Sequence, residues 1–375
     1  MNIGFDAKRA FLNYTGLGNY SREAINTMAE EFPLETYYLY TTKAPDNNRT
    51  ASLFNRSNIV VRTPGFPFFR SLWRSRLIIR QLKKDRLDIF HGLSHELPFG
   101  IGKTGIRSVV TIHDLIFLRY PQYYQSVDRK IYEAKYRYAC RHADKIVAIS
   151  EQTKKDIQTF FGIDPARIEV IYQGCDPSFA QKKTITQLDS IKEKYGLPDR
   201  FLLNVGTVEE RKNTLLIVKA LTMLPDELKL VIVGRHTAYA NEVKKYIEEH
   251  GLGTRVIFLE NVSFNDLPGI YQLAGIFVYP SRFEGFGIPV LEALNSGVPV
   301  IAASGSCLEE AGGGGSIYTD PDNEKAMAAH VLNLMEDRTL RESIVNKGYE
   351  HAAGFSAGIM ANKLMTLYRS ITGNK

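Results

Sequence analysis

Short β-rich runs alternate with longer amphipathic or polar stretches along this chain, and the pattern restarts near Phe201. In the first half the runs are 2–6, 35–41, 58–62, 88–91, 108–113, 145–150 and 167–172. In the second half they are 201–205, 229–233, 255–259, 276–280, 299–303 and 316–318. Helical candidates between them include 18–31, 72–84, 132–141, 151–160, 214–224, 241–250, 289–294 and 325–336. Largely apolar strands separated by helices predict parallel sheets covered on both faces. So many strands exceed one standard sheet. The expectation is an α/β chain of two doubly wound, Rossmann-like domains facing each other across a cleft, with ligand-binding edges at the strand C-termini. The charged stretch 176–200, with Pro177 and Pro198, reads as the linker between them. The run 312–315, all glycine, reads as a mobile loop or as a permissive turn before a strand.

With 375 residues, 44% of them hydrophobic, there is apolar material for two cores. No window approaches the roughly 18 to 20 apolar residues of a membrane span. The start, MNIGFDAKRAF, reads as a strand and lacks a secretory apolar region, so a cytoplasmic location is expected. Cys140, Cys175 and Cys307 lie far apart with no metal-ligand spacing, which points to free thiols in a reducing compartment. A net charge of +6 calls for an anionic partner: nucleic acid, an acidic membrane face or a phosphorylated small molecule. The basic residues are spread out and no nucleic-acid module is present, so nucleic acid is the weakest of these. Metal-dependent and ATP-hydrolysing readings have no motif to stand on.

The richest segment is SRFEGFGIPVLEALNSGVPVIAAS, beginning at Ser281. Gly285 and Gly287 allow positive φ and close backbone approach, and Pro289 suits a first helical turn. The amides of Gly285, Phe286, Gly287 and Ile288 would then point out of a helix N-terminus, a ready anion site. Glu284 and Glu292 would repel that anion, so they suit another guest. Sugar hydroxyls fit, because one carboxylate accepts two of them. The plainer reading makes both glutamates solvated helix-start residues. Arg211 and Lys212 follow the buried run 201–205, and their pairing suits a diphosphate, Arg as a fork and Lys as a point charge. In isolation they would be a solvated basic turn.

In the first half, Gly16 and Gly18 open a helix as an incomplete dinucleotide fingerprint, either a tight turn or a loop shaped for an acceptor. His113 and Asp114 end the run 108–113, where such folds keep ligands, and His91 ends 88–91 in the same way. The basic stretch 70–86 carries Trp73, Leu77 and Ile78. It is either a surface helix packing that apolar stripe or a membrane-surface helix.

Together, TIHDLIFLRYP from Thr111, VGTVEERKN from Val205 and FVYPSRFEGFGIPVLEALNSGVPVIAA from Phe277 resemble retaining glycosyltransferases of family 4, which have the GT-B fold. The likeness runs nearly end to end and includes the family's E-x7-E pattern, Glu284 to Glu292. It implies an acceptor-binding domain over 1–176, a nucleotide-sugar donor domain over 177–355, and a C-terminal helix over 356–375 crossing back to the first. It also implies roles. Glu284 holds donor-sugar hydroxyls or stabilises charge at the anomeric carbon, and Glu292 binds the nucleotide ribose. The amides at 285–287, with Arg211 and Lys212, hold the diphosphate, and His113 contacts the transferred sugar. No metal or other cofactor is implied. Some members carry arginine directly after the glycine of the VGT segment, where this chain has Thr207, which leaves the phosphate role to Arg211 and Lys212.

The segments look most like members that transfer mannose from GDP-mannose in surface-polysaccharide assembly. The expected partners are therefore that donor and a glycan or lipid-linked saccharide at the inner membrane face. UDP- or dTDP-sugar donors, and a non-catalytic nucleotide-sugar-binding regulator, are the alternatives. A glycosidase carboxylate pair would leave the anion-binding helix start without a purpose.

Overall fold

A computed structural model describes residues 1–65 and 68–373. The chain divides into two compact units, Met1–Gly174 with Ala357–Lys375 and Cys175–Ser356.

Among the described residues the first unit contains β1 (Asn2–Asp6), β2 (Thr36–Tyr40), β3 (Ile59–Arg62), β4 (Ile89–Gly92), β5 (Arg107–Ile112), β6 (Lys145–Ala148) and β7 (Ile168–Val170). They pair in parallel in the order β3-β2-β1-β4-β5-β6-β7. Ile3, Phe5, Tyr37, Leu39, Ile89 and Val109 are fully buried because helices cover both faces. One cover is the helix Ala357–Thr372, whose Met360, Leu364 and Tyr368 join the core of Ile3, Phe5, Ala24 and Met28.

A buried polar chain accompanies that packing. Nδ1 of His91 meets the Tyr368 hydroxyl at 2.5 Å, Nε2 meets Thr111 Oγ1 at 2.8 Å, and the Tyr20 hydroxyl meets Thr111 Oγ1 at 3.2 Å. Burial holds the imidazole neutral, with its pKa lowered to about 3. His91 is therefore a satisfied core residue and not a ligand of the sheet edge. Tyr368→Phe is expected to strand one ring nitrogen and cost about 1–3 kcal/mol. A lower urea midpoint at unchanged slope would show it.

The stretch 70–86 is not one amphipathic helix. It breaks into Arg70–Leu72, a π-helical turn at Trp73–Leu77 and a helix at Ile78–Lys84. Trp73 and Ile78 are buried, but Leu77 is exposed. Arg74 points inward: its Nε lies 3.0 and 2.9 Å from the two oxygens of Asp6, and its Nη1 is 2.7 Å from Glu96.

The second unit contains β8 (Phe201–Val205), β9 (Lys229–Val233), β10 (Val256–Leu259), β11 (Ile276–Tyr279), β12 (Val300–Ala303) and β13 (Ser316–Thr319). They pair in parallel in the order β10-β9-β8-β11-β12-β13. The order reverses between β8 and β11, so a crevice opens outside their carboxyl ends.

The expected linker 176–200 is instead part of this unit. Thr184 and Gln187 form a capping box for the helix Ile185–Tyr195, Gly196 ends it in the left-handed region, and Phe179 and Ile191 are buried. Charges on its outer face concealed a helix whose inner face packs. The glycine run likewise resolves to a packed turn. The helix Leu308–Gly312 is followed by a 3-10 turn at Gly313–Gly315, where a Cβ on Gly315 would lie 2.4 Å from Gly348 Cα.

Candidate active site

The second unit brings Glu209, Arg211, Lys212 and Glu284 together at the β8/β11 reversal. After β8 the chain turns through the 3-10 segment Glu210–Lys212, and Asn213, at φ +58°, starts the helix Thr214–Leu221. After β11 it runs through Pro280–Gly287 into the helix Ile288–Ser296. The Arg282 amide donates to the Arg211 carbonyl at 2.9 Å, and Asn213 Nδ2 donates to the Pro280 and Pro321 carbonyls, so the two loops are held together.

Glu284 lies at the centre, with a side chain only 13% exposed. Its Oε1 accepts from Lys212 Nζ at 2.6 Å, Ser281 Oγ at 2.6 Å and the Tyr279 hydroxyl at 3.0 Å, and Arg211 Nη1 stands 2.9 Å away. Burial alone would raise its pKa. Arg211 and Lys212, with the Lys212 and Ser281 hydrogen bonds, overcome that and hold it at about 2. Arg211 also bonds Glu209 and the Phe283 carbonyl, while Lys212 donates to the Tyr279 hydroxyl and lies 4.9 Å from the centre of that ring.

Gly287 precedes the helix at φ +127°, where a side chain would be strained, and a Cβ there would also lie 2.8 Å from Leu308 Cδ2. Gly287 carries a positive φ of this turn. With Pro289 in the first turn and no side chain capping the helix, its leading amides form an electropositive end.

Glu292, one turn on, is half-buried and not a solvated helix-start residue. The Tyr271 hydroxyl donates to it at 2.8 Å. Burial raises its pKa to about 7, with the Tyr271 bond opposing. Between its ordinary 4.5 and that value the folded chain binds the extra proton. This stabilisation is complete below the unfolded pKa and is lost as pH rises through the folded one. Glu292→Gln is expected to flatten a decline in stability between about pH 5 and 8, read by denaturant midpoints across that range.

In the first unit the strand order reverses between β1 and β4. His113, just after β5, is 5% exposed and meets the Leu93 carbonyl through Nε2 at 2.9 Å, which places its proton on that nitrogen. Its ring packs edge-on to Tyr20 and His95, and burial lowers its pKa to about 4. Asp114 Oδ1 accepts from the Ile116 amide at 3.2 Å and shapes the next turn. Gly16 is open, whereas a Cβ on Gly18 would lie 1.8 Å from the Asn13 carbonyl oxygen. Close packing against residue 13 therefore explains Gly18, while Asn13 Oδ1 receives the amides of Thr15 and Gly18.

Tyr271, Tyr279, Ser281, Glu209 and His95 join these residues only in the structure. Tyr279 and Ser281 lie inside the segment 277–303, so their nearness to Glu284 is legible in the sequence. His95, buried and stacked on Tyr136 at 4.3 Å with φ +65°, is not legible there.

Two family descriptions match in tandem: Glycosyltransferase Family 4 over residues 15–179 and Glycosyl transferases group 1 over 187–351. O-antigen chain mannosyltransferase B of Escherichia coli is 27% identical over 95% of this chain and 96% of its own length. O-antigen chain mannosyltransferase RfbU of Salmonella typhimurium is 30% identical over 60% of each chain. A glycosyltransferase from Rickettsia africae superposes with a TM-score of 0.78 at 20% identity, over 100% of this chain and 99% of the other. Two parallel α/β sheets with these matches define a glycosyltransferase of the GT-B fold. The chain belongs to glycosyltransferase family 4, and the relatives it resembles include mannosyltransferases.

Proposed function

We propose that this chain transfers mannose from GDP-mannose, with retention, to a glycan or lipid-linked saccharide in surface-polysaccharide synthesis. The convergence of Arg211, Lys212 and Glu284 before the amide end of the helix Ile288–Ser296 supports this most strongly. The names of the O-antigen relatives support the mannose donor.

Departure of a nucleoside diphosphate builds negative charge on phosphate and positive charge on the sugar ring. Arg211, Lys212 and the amides of residues 285–288 stabilise the first, and the Glu284 carboxylate the second. Such groups are fixed before the reaction and need no reorganisation at its barrier. Because side chains and amides balance the diphosphate, no metal is required in this reading. Glu292 takes the ribose hydroxyls, for which its ionised form is the better acceptor, so nucleotide binding strengthens as pH rises through about 7. His113, of the first unit, addresses the transferred sugar by the family likeness. A diphosphate oxygen takes the acceptor's proton as the acceptor attacks on the same face.

We also place the chain at the inner membrane face. Among the described residues no helix is long and apolar enough to cross a membrane. Phe68, Phe69, Leu72 and Leu77 are exposed beside Arg70 and Arg76, a combination suited to an anionic lipid surface. Co-sedimentation with phosphatidylglycerol vesicles, lost at high salt or in Phe69→Ser with Leu72→Ser, is expected; no co-sedimentation at low salt would exclude it.

Thermal shifts with GDP, UDP, dTDP and ADP at matched concentration test the donor. At about 100 times Kd a ligand of the folded state adds about 2.7 kcal/mol. A shift confined to GDP is expected. A shift with UDP or dTDP alone would discard mannose, and no shift with any would discard the donor site.

A further inference from the structure

Arg211 and Lys212, the cations proposed to hold a diphosphate, are already neutralised within the fold. Glu284 faces both, and Glu209 takes the remaining arm of Arg211. Two carboxylates therefore stand against two cations in a pocket whose side chains are about one-seventh exposed for Arg211 and Lys212. A diphosphate carrying two or more negative charges cannot be added to that arrangement without an anion letting go, because like charges at contact distance in a partly dry site repel strongly.

Glu284 has donors besides the two cations to hold it. Arg211, Lys212, Tyr279 and Ser281 all converge on Oε1 of Glu284. The two cations can be withdrawn from that oxygen while the Tyr279 and Ser281 hydroxyls continue to hold the carboxylate. Ser281 is anchored for this. Fully buried, its Oγ also lies 3.3 Å from the Arg211 and Phe283 carbonyls.

We infer that Glu284 is the resident counter-ion of the diphosphate subsite, and that the donor's diphosphate replaces it on Arg211 and Lys212, leaving the carboxylate, positioned by Tyr279 and Ser281, to face the sugar. Glu284 thus becomes available to the reacting ring only when the diphosphate is seated. A sugar without its diphosphate meets a carboxylate still engaged by two cations. The inference rests on the proposed donor site and deepens it, by making diphosphate binding the event that frees the carboxylate.

Calorimetric titration of GDP and of inorganic pyrophosphate into the full-length wild type and Glu284→Gln tests it. Removing the competing anion while keeping the side-chain shape should tighten both ligands about tenfold, the scale of one charge-assisted contact. Glu284→Asp, which keeps the charge but reaches fewer donors, should fall between. Because pyrophosphate carries no base, its result does not depend on the choice of GDP. Equal or weaker binding of both ligands by Glu284→Gln would overturn the exchange while leaving the donor site standing. Failure of the wild type to bind GDP, UDP or pyrophosphate would overturn the donor site and the exchange together. Should Glu284→Gln not fold, Glu284→Asp carries the comparison, and affinities equal to wild type would reject the idea.

Discussion

Glu284→Ala is expected to lower donor turnover by about 10²- to 10³-fold, the usual cost of removing one preorganised group from a charge-stabilising site. The loss should fall on kcat rather than on nucleotide affinity. Glu284 is assigned to the sugar side of the breaking bond, and in the folded chain it competes with any phosphate for Arg211 and Lys212. Stability should fall as well, since both cations lose a partner while remaining mostly buried. Saturation kinetics on protein shown to be folded by circular dichroism separates the two effects. Full turnover in this variant would remove Glu284 from the chemistry.

The second large effect is on folding. Arg74→Ala is expected to cost about 3–5 kcal/mol, the range for breaking a buried ion pair from one side. The arginine side chain is 14% exposed and Asp6 7%, and Glu96 shares the same guanidinium. Although burial opposes the charge on Arg74, Asp6 and Glu96 more than compensate and raise its pKa. Removing the guanidinium leaves Asp6 at the end of the interior strand β1 without its fork, and Glu96 with Lys135 at 3.2 Å. Arg76, on the same turn, faces Phe99 at 5.5 Å and has no such pair among the described residues. Arg76→Ala should therefore change stability by less than about 0.5 kcal/mol, as exposed substitutions usually do. Urea denaturation of both variants reads the difference, and equal midpoints would contradict the inward placement of Arg74.

The alternation of apolar runs with helical stretches was enough to expect two parallel sheets, because strands buried on both faces read as short, near-continuous apolar runs separated by longer amphipathic stretches. The reversal points then followed from topology, and Arg211, Lys212, Glu284 and His113 all lie just beyond strand ends. Less was legible where one residue's meaning depends on a distant partner. Arg74 reads as a surface charge until Asp6, far away in sequence, is seen beside it. Residues 185–195 read as a charged linker because only one face of that helix packs. Glu292 reads in the sequence either as a first-turn acid or as a ribose ligand, and Tyr271, which holds it, comes from another helix. Glu284 was picked out for its glycine turn, but its capture of both cations required the fold to bring the β8 and β11 loops together.

Nucleotide release from GDP-mannose, UDP-glucose and dTDP-rhamnose, supplied with a lipid-linked saccharide extract, tests the central claim most directly when wild type and Glu284→Ala are run side by side. The account requires GDP release from GDP-mannose by the wild type and its loss in the variant. Release at the same rate from both proteins, or no release from any donor by a wild type that binds GDP, would contradict it.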